Sequence, residues 1–334
     1  MDCYFPNEPP YSNVEQVGEI LSSRRHKLEW GMNVISSSEY GISSFQMEKN
    51  LRELISLGGT TAVFVPVYYQ QSPSSSKIFR KKSSPTIHSL TRAIILAKRL
   101  GLKVSLKPHV NLETREARSR IKPIDFNQWA NSYSEYILTY ARLANELEVD
   151  SFFVGTELEG ISNNEQYWRS LIESVRQVYE GEISYSSNRL GEANNINWWD
   201  SLDFIGISFY EPLLSFNDGN ITESDLVSAW YYRGYVLQLL QLHERWKKSV
   251  ILSELGYYAR SDTALNPATI SDGNIDSNAQ AVAYSAAYRV LSALPQIKGF
   301  YIWALDASSI SQPGGFSIIP TNDDVMCKLK AVKD

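Results

Sequence analysis

Apolar residues along this chain come in short, nearly continuous runs, each followed by a longer stretch in which they recur every three or four positions. The runs are GMNVIS from Gly31, TAVFVPVYY from Thr61, KVSLKPHV from Lys103 and DSFFVGTE from Asp150. They continue with EISYSSN from Glu182, DFIGISFY from Asp203, SVILSELG from Ser249 and GFYIWALD from Gly299. Continuous rather than alternating runs are the pattern of parallel strands covered on both faces. Between them, IHSLTRAIILAKRLG sets Leu90, Ala93, Ile94, Ala97 and Leu100 on one face and reaches Gly101, a residue suited to closing a helix. The segment after Asp125, a candidate N-cap, places Trp129, Tyr133, Tyr136, Tyr140 and Leu147 on one stripe. NEQYWRSLIESVRQVYEG and SNAQAVAYSAAYRVLSALP behave likewise, and aromatics at helical spacing are expected to face the core.

Strand and helix alternate eight times with no break in composition. This predicts an α/β fold, a single (β/α)8 TIM barrel over residues 1–334 with 1–28 as an N-terminal extension. An open doubly wound sheet is the rival, but no GxGxxG follows the first strand. The Ser-rich stretch from Gln70 to Ser84 follows the second strand and reads as a long βα loop.

Composition changes this picture little. Apolar residues at 43% and charged residues at 21% suit a globular domain with a sizeable core. A net charge of -5 offers no basic face, so nucleic acid is not an expected partner. Aromatic residues at 12% are enough to fill the core and line a site for a ligand with flat apolar faces. Cys3 and Cys327 have no CxxC or metal spacing and are expected as free thiols, with a bridge between them as the alternative. No run reaches the roughly 18 apolar residues of a membrane span. The start, MDCYFPNEPPYSNVEQVGE, lacks the basic and apolar regions of a secretory signal. The expectation is a cytoplasmic protein, or a secreted one whose leader is not contained in this sequence.

In such a barrel, functional side chains stand where strands end. The third strand ends in Lys107, His109 and Asn111, and the fourth in Glu157 with Glu159 beyond it. The sixth ends in Tyr210 and Glu211, the seventh in Glu254, and the eighth runs through Trp303 to Asp306. Glu157 and Glu254 are thus expected to meet across the mouth. Glycoside cleavage needs such a pair, one carboxyl protonated to donate to the leaving oxygen and the other ionised to attack the anomeric carbon. A solvated strand end or a structural ion pair is the alternative for either residue. Glu159 and Glu211 are rivals for the acid role; Glu159 points the same way about 6–7 Å further out and suits an outer subsite.

His109 is expected to bond a sugar hydroxyl or to orient Glu157, with a structural histidine as the alternative. Lys107 either reaches the rim or pairs with a site carboxylate. Tyr68, Tyr257 and Tyr258 are candidate stacking surfaces, Tyr69 standing second to Tyr68 and one of Tyr257 and Tyr258 facing the cleft. Trp198 and Trp199 are expected at the barrel's bottom or side, and Trp230 in the core. His26, His88, His109 and His243 show no metal-ligand spacing and no HExxH, so neither metal nor cofactor is expected.

These segments resemble the clan A retaining glycoside hydrolases, and more closely glycoside hydrolase family 113, the β-mannanase family. GMNV, KVSLKPHVN, ARLANELEVDSFFVGTELEG, DFIGISFYEPL, ILSELGYY and GFYIWALD carry the resemblance, from Gly31 to Gly315. It implies Glu157 as acid/base, Glu254 as nucleophile, Tyr210 as the hydrogen-bond partner of that nucleophile, and Trp303 as the platform under the sugar. It also implies an endo-acting retaining hydrolase of β-1,4-mannosidic linkages in mannan or manno-oligosaccharides. Another β-1,4-glycan (glucan, glucomannan or xylan) and a non-catalytic glycan-binding barrel are the alternatives. The chain departs from the pattern at two places. Thr156 stands where many clan members carry an Asn that meets the substrate 2-hydroxyl, and donates over a shorter reach. Asn111 stands where the family carries an acid, which bears on the sugar contact of the third strand.

Overall fold

The computed structural model describes residues 26–216, 221–268, 273–306 and 315–318; Cys3 and Cys327 lie outside them. The strands are β1 (Glu29–Ile35), β2 (Thr61–Phe64), β3 (Val67–Gln70), β4 (Ile78–Phe79), β5 (Lys103–Leu106) and β6 (His109–Leu112). They continue with β7 (Ser151–Thr156), β8 (Glu182–Asn188), β9 (Ile205–Phe209), β10 (Val250–Leu255) and β11 (Ile297–Asp306). The helices are α1 (Phe45–Ser56), α2 (Ile87–Arg99), α3 (Phe126–Glu146) and α4 (Glu165–Arg176). After them come α5 (Arg189–Asn195), α6 (Glu223–Tyr232), α7 (Tyr235–Trp246) and α8 (Ser277–Ser292). Strands β1, β2, β5, β7, β8, β9, β10 and β11 close, in that order, into an all-parallel barrel. This is the expected (β/α)8 fold.

Local chemistry sets the element ends. The Asp125 side chain accepts from the Gln128 N–H and starts α3, and Thr86 does the same for α2 through Ser89. Gly101 follows α2 at φ 84°, a conformation that costs glycine little.

The second and third runs each break in two, which the apolar pattern alone does not show. Pro66 and Pro108 have no N–H to extend a ladder, so β2 and β5 stop at Phe64 and Leu106. Beyond each break the chain pairs again as β3 and β6, which with β4 form a separate three-stranded sheet. The Gln70–Ser84 stretch is therefore not all loop: β4 turns back antiparallel on β3, with Phe79 opposite Tyr69.

The main core fills the layer between barrel and helices, where Trp198 stacks on Trp168 at 5.0 Å and Trp230 on Phe209 at 4.5 Å. Trp198 and Trp199 thus lie at the barrel's side. The barrel interior is filled differently. Val63, Phe153, Phe204, Ile251 and Tyr301 form an apolar cluster. Next to it, Ser186 of β8 bonds Ser208 of β9 at 3.0 Å and Ser253 of β10 at 2.7 Å. A bond from β8 to β10, with β9 between them, runs through the interior. Among the described residues, no helix is long and apolar enough to cross a membrane.

β1 sits close against β2 because Gly31 has no side chain: a Cβ there would lie 1.9 Å from the Thr61 carbonyl oxygen. Gly31→Ala is expected to lower the unfolding free energy by about 1–3 kcal/mol or more, because backbone must move to admit the methyl. A shift of the urea midpoint to lower concentration checks this; an unchanged midpoint contradicts it.

Candidate active site

β10 ends by placing Glu254 at the mouth of the barrel with 3% of its surface exposed. A carboxylate buried so deeply needs charged or hydrogen-bonding partners on both oxygens. Lys107, from the break after β5 and fully buried, donates to Oε1 at 2.6 Å and to the Ser253 carbonyl at 3.1 Å. Tyr210, just past β9, donates its hydroxyl to Oε2 at 2.9 Å. His109 Nε2 stands 3.4 Å from Oε1, close enough for electrostatic support but without hydrogen-bond geometry. Burial works to raise the pKa of Glu254, yet Lys107, His109 and Arg118 overcome it and hold the group well below the usual carboxylate range. Burial pulls the Lys107 pKa down while Glu254 pulls it back. The 2.6 Å contact is that of an ionised pair.

Glu157 follows β7 directly, in a left-handed conformation at φ 54° that non-glycine residues rarely adopt. Its N–H donates to the Ser186 carbonyl at 2.8 Å, and its side chain keeps 19% exposure. Burial and then the negative charge of Glu254 push its pKa up, against the opposing pull of Arg118, Ser208 and Lys107. Two carboxyls at one mouth are thus driven apart, Glu254 toward the ion and Glu157 toward the acid.

Arg118 joins the two sides. It lies on a short 3-10 turn, Arg118–Arg120, in the loop between β6 and α3. One guanidinium nitrogen donates to His109 Nδ1 at 2.8 Å and stands 3.7 Å from Glu157; the other donates to Asn111 Oδ1 at 2.9 Å. Because arginine only donates, His109 Nδ1 must accept, which leaves the imidazole proton on Nε2, facing Glu254. Burial first, and then Arg118, push the His109 pKa down to about 3, so the ring is neutral. Sequence reasoning misses Arg118. ETREARSRIK carries Arg115, Arg118 and Arg120 without periodicity, and nothing in it says which one turns inward.

Trp303 on β11 lies near-parallel to His109, with centroids 5.6 Å apart at 7°, and 5.5 Å from the Lys107 ammonium. Thr156 is buried, and its hydroxyl has no hydrogen-bond partner among the described residues. Glu159 is exposed and accepts from the Asn188 amide at 2.7 Å, out on the rim. Glu211 is occupied elsewhere, accepting from the Leu190 N–H at 3.0 Å at the start of α5. These positions bring Lys107, His109, Asn111, Tyr210 and Trp303 to the two carboxyls and leave Glu159 outside them.

The expected tyrosine platforms differ. Tyr68 packs away from the mouth, stacked on Tyr136 of α3 at 4.3 Å. Strand parity explains this: Tyr68 pairs with Val110, whereas Tyr69 pairs with Asn111 and shares its face. Tyr257 is 1% exposed, against Tyr284 in the helix-side core. Tyr258 is 5% exposed and covered by Phe316 at 3.7 Å, and Phe316 in turn stands 6.2 Å from Tyr210. Neither Tyr257 nor Tyr258 presents an open ring face.

A buried neutral histidine carries a pH signature. With its pKa at about 3 in the fold and about 6.5 when unfolded, His109 contributes stability above pH 6.5 that is lost as pH falls toward 3. Glu157 and Glu192 have raised pKa values and gain protons in the fold, which works in the opposite sense. The difference between the wild type and His109→Gln isolates the histidine. Between pH 6.5 and 5, the wild type is expected to lose about 2 kcal/mol relative to the variant, read as urea midpoints. Parallel curves contradict a neutral buried His109.

With this geometry in hand, comparisons with known proteins place the chain. Residues 30–313 match the model of Glycoside Hydrolase Family 113. No curated protein sequence matches significantly. Among solved structures, the fold is similar to a GH113 beta-1,4-mannanase (TM-score 0.79, 23% identity, 90% of this chain and 97% of that one). It is similar to the GH113 beta-mannanase of Alicyclobacillus acidocaldarius (TM-score 0.78, 24% identity, 90% and 97%). A Glycoside Hydrolase Family 5 mannosidase from Rhizomucor miehei matches less closely (TM-score 0.61, 10% identity, 92% and 93%). The barrel, the paired carboxyls and the family match over residues 30–313 agree: the chain belongs to glycoside hydrolase family 113.

Proposed function

We propose that this glycoside hydrolase cleaves β-1,4-mannosidic linkages within mannan or manno-oligosaccharides, with retention of configuration. The observation that carries the mechanism is the opposite electrostatic treatment of Glu254 and Glu157 at one mouth. The mannan preference is supported by the family and by the mannanases among its structural neighbours.

In the first step, the ionised Glu254 attacks the anomeric carbon while the protonated Glu157 gives its proton to the departing glycosidic oxygen. The bond to that oxygen breaks and a glycosyl ester forms on Glu254. Lys107 and Tyr210 orient the carboxylate beforehand, so little reorganisation is needed at the moment of attack. Ester formation removes the negative charge that helped to raise the Glu157 pKa. The Glu157 pKa therefore falls, the group stays ionised after giving up its proton, and the carboxylate serves as the base that deprotonates the incoming water. Water attacks the same carbon, the sugar leaves, and Glu157 is again protonated. Trp303, Asn111, Thr156 and, further out, Glu159 are the proposed sugar contacts.

Glu254→Ala and Glu157→Gln are each expected to cut mannopentaose hydrolysis by about 10²–10⁴-fold or more; Glu157→Gln keeps the thermal midpoint near wild type, whereas Glu254→Ala, which strands the buried Lys107, lowers it while the chain still folds. Near-wild-type turnover in either variant overturns the assignment. Wild-type activity on glucan or xylan exceeding that on mannan moves the substrate to another β-1,4-glycan. Arg118→Ala removes a cation that lowers the Glu157 pKa, so the alkaline limb of kcat/KM is expected to move to higher pH. An unmoved or lowered limb contradicts the pairing with Glu157.

A further inference from the structure

A second buried carboxyl lies behind the mouth and takes no part in the bond-breaking steps above. Glu192 on α5 is 1% exposed, and its partners belong to the two segments that frame Glu157. Its Oε1 accepts from the Tyr185 hydroxyl at 2.7 Å, and its Oε2 from the Asn188 N–H. The Ser162 hydroxyl also bears on it. Tyr185 in turn accepts from the Leu158 N–H at 2.7 Å. Leu158 is the residue directly after Glu157, and Ser162 closes the same turn by donating to the Glu159 carbonyl.

The turn holding Glu157 is one that needs holding. A glutamate at φ 54° is in a sparsely populated region and stays there only when its surroundings impose it. Three hydrogen bonds to β8 do so. Ser186 takes the Glu157 N–H, Tyr185 takes the Leu158 N–H, and Asn188 donates to the Glu159 carboxylate. Glu192 anchors two of these three residues, Tyr185 through its hydroxyl and Asn188 through its backbone. The Tyr185 ring is itself seated tightly against β7, since a Cβ on Gly155 would lie 2.8 Å from Tyr185 Cε2. The ring also packs edge-on against Trp168 and Trp198. Burial lifts the Glu192 pKa to about 7, the signature of a carboxyl kept in the interior for its two acceptor oxygens rather than for solvation.

We propose that Glu192 is a positioning residue for the acid/base, fixing through Tyr185 the left-handed turn that aims the Glu157 carboxyl at the glycosidic oxygen. This rests on Glu157 being the proton donor, as proposed above. The chemistry offers a readout that a merely structural role would not move. Departure of a sugar requires the proton from Glu157, whereas 2,4-dinitrophenolate leaves as a stable anion without one. Misplacing Glu157 therefore penalises kcat/KM for an oligosaccharide and spares kcat/KM for the dinitrophenyl glycoside. Azide, which attacks the glycosyl ester without a base, should also restore kcat on the activated substrate and yield a glycosyl azide.

The test compares wild type, Tyr185→Phe and Glu192→Gln on mannopentaose and 2,4-dinitrophenyl β-mannoside. Phenylalanine leaves the Leu158 N–H without its acceptor. Glutamine keeps one acceptor oxygen but turns an amide toward a donor, and it is the milder change should the first variant fold poorly. We expect kcat/KM on mannopentaose to fall about tenfold or more, that on the aryl glycoside to change less than threefold, and azide to raise kcat on the latter. Equal losses on both substrates, or no loss on mannopentaose, overturn the proposal. The wild type reports separately on the function: if it cleaves another glycan instead, the same ratio is taken with that glycan and its aryl glycoside.

Discussion

The site depends on one interaction, the contact between the Lys107 ammonium and the Glu254 carboxylate in the mouth of the barrel. Neither group has appreciable access to water, so each is a liability without the other. Removing one partner of a buried pair costs about 3–5 kcal/mol, because the survivor is left charged and unsolvated. That cost constrains the surroundings. Tyr210 takes the second Glu254 oxygen, His109 is held neutral beside the first, and Trp303 closes over the lysine. A carboxylate held this way is ionised at neutral pH and turned to one direction.

The lysine faces inward by strand parity: Val104 and Leu106 pack in the helix-side core, while Ser105, Lys107 and His109 share the opposite face. A strand continuing through residue 108 would need a backbone donor that proline lacks. The ladder of β5 stops at Leu106, and β6 carries His109 and Asn111 onward on the face of Lys107. The same break on β2 at Pro66 lets β3 follow β6, so both extensions wall one side of the mouth. The small sheet thus has a cause that is local and visible in two prolines, whereas the buried ion pair follows from the period of two.

Much of this was legible in the chain. The eight apolar runs marked the eight barrel strands, because parallel strands buried on both faces cannot hide their composition. Strand ends then located Glu157 and Glu254 at the same mouth. Side-chain direction was less legible. Tyr68 and Tyr257 sit at strand ends too, but a period of two decides which neighbour faces the mouth. Arg118 was out of reach for another reason: it comes from a loop, where no repeat relates sequence position to direction. Glu192 was hidden on a short helix, in a pattern that reads as ordinary surface.

Environment imposes a division of labour on the two carboxyls. Glu254 is surrounded by cations and donors, and Glu157 by burial and a like charge, so identical side chains are pushed toward opposite protonation. The most direct test of that division is to trap the ester with a 2-deoxy-2-fluoro-mannosyl fluoride and map the label by mass spectrometry of peptides. One fluoromannosyl group per chain is expected, on the peptide containing Glu254. A label on the peptide containing Glu157, or hydrolysis of the reagent through an inverted product with no label at any stage, would contradict it.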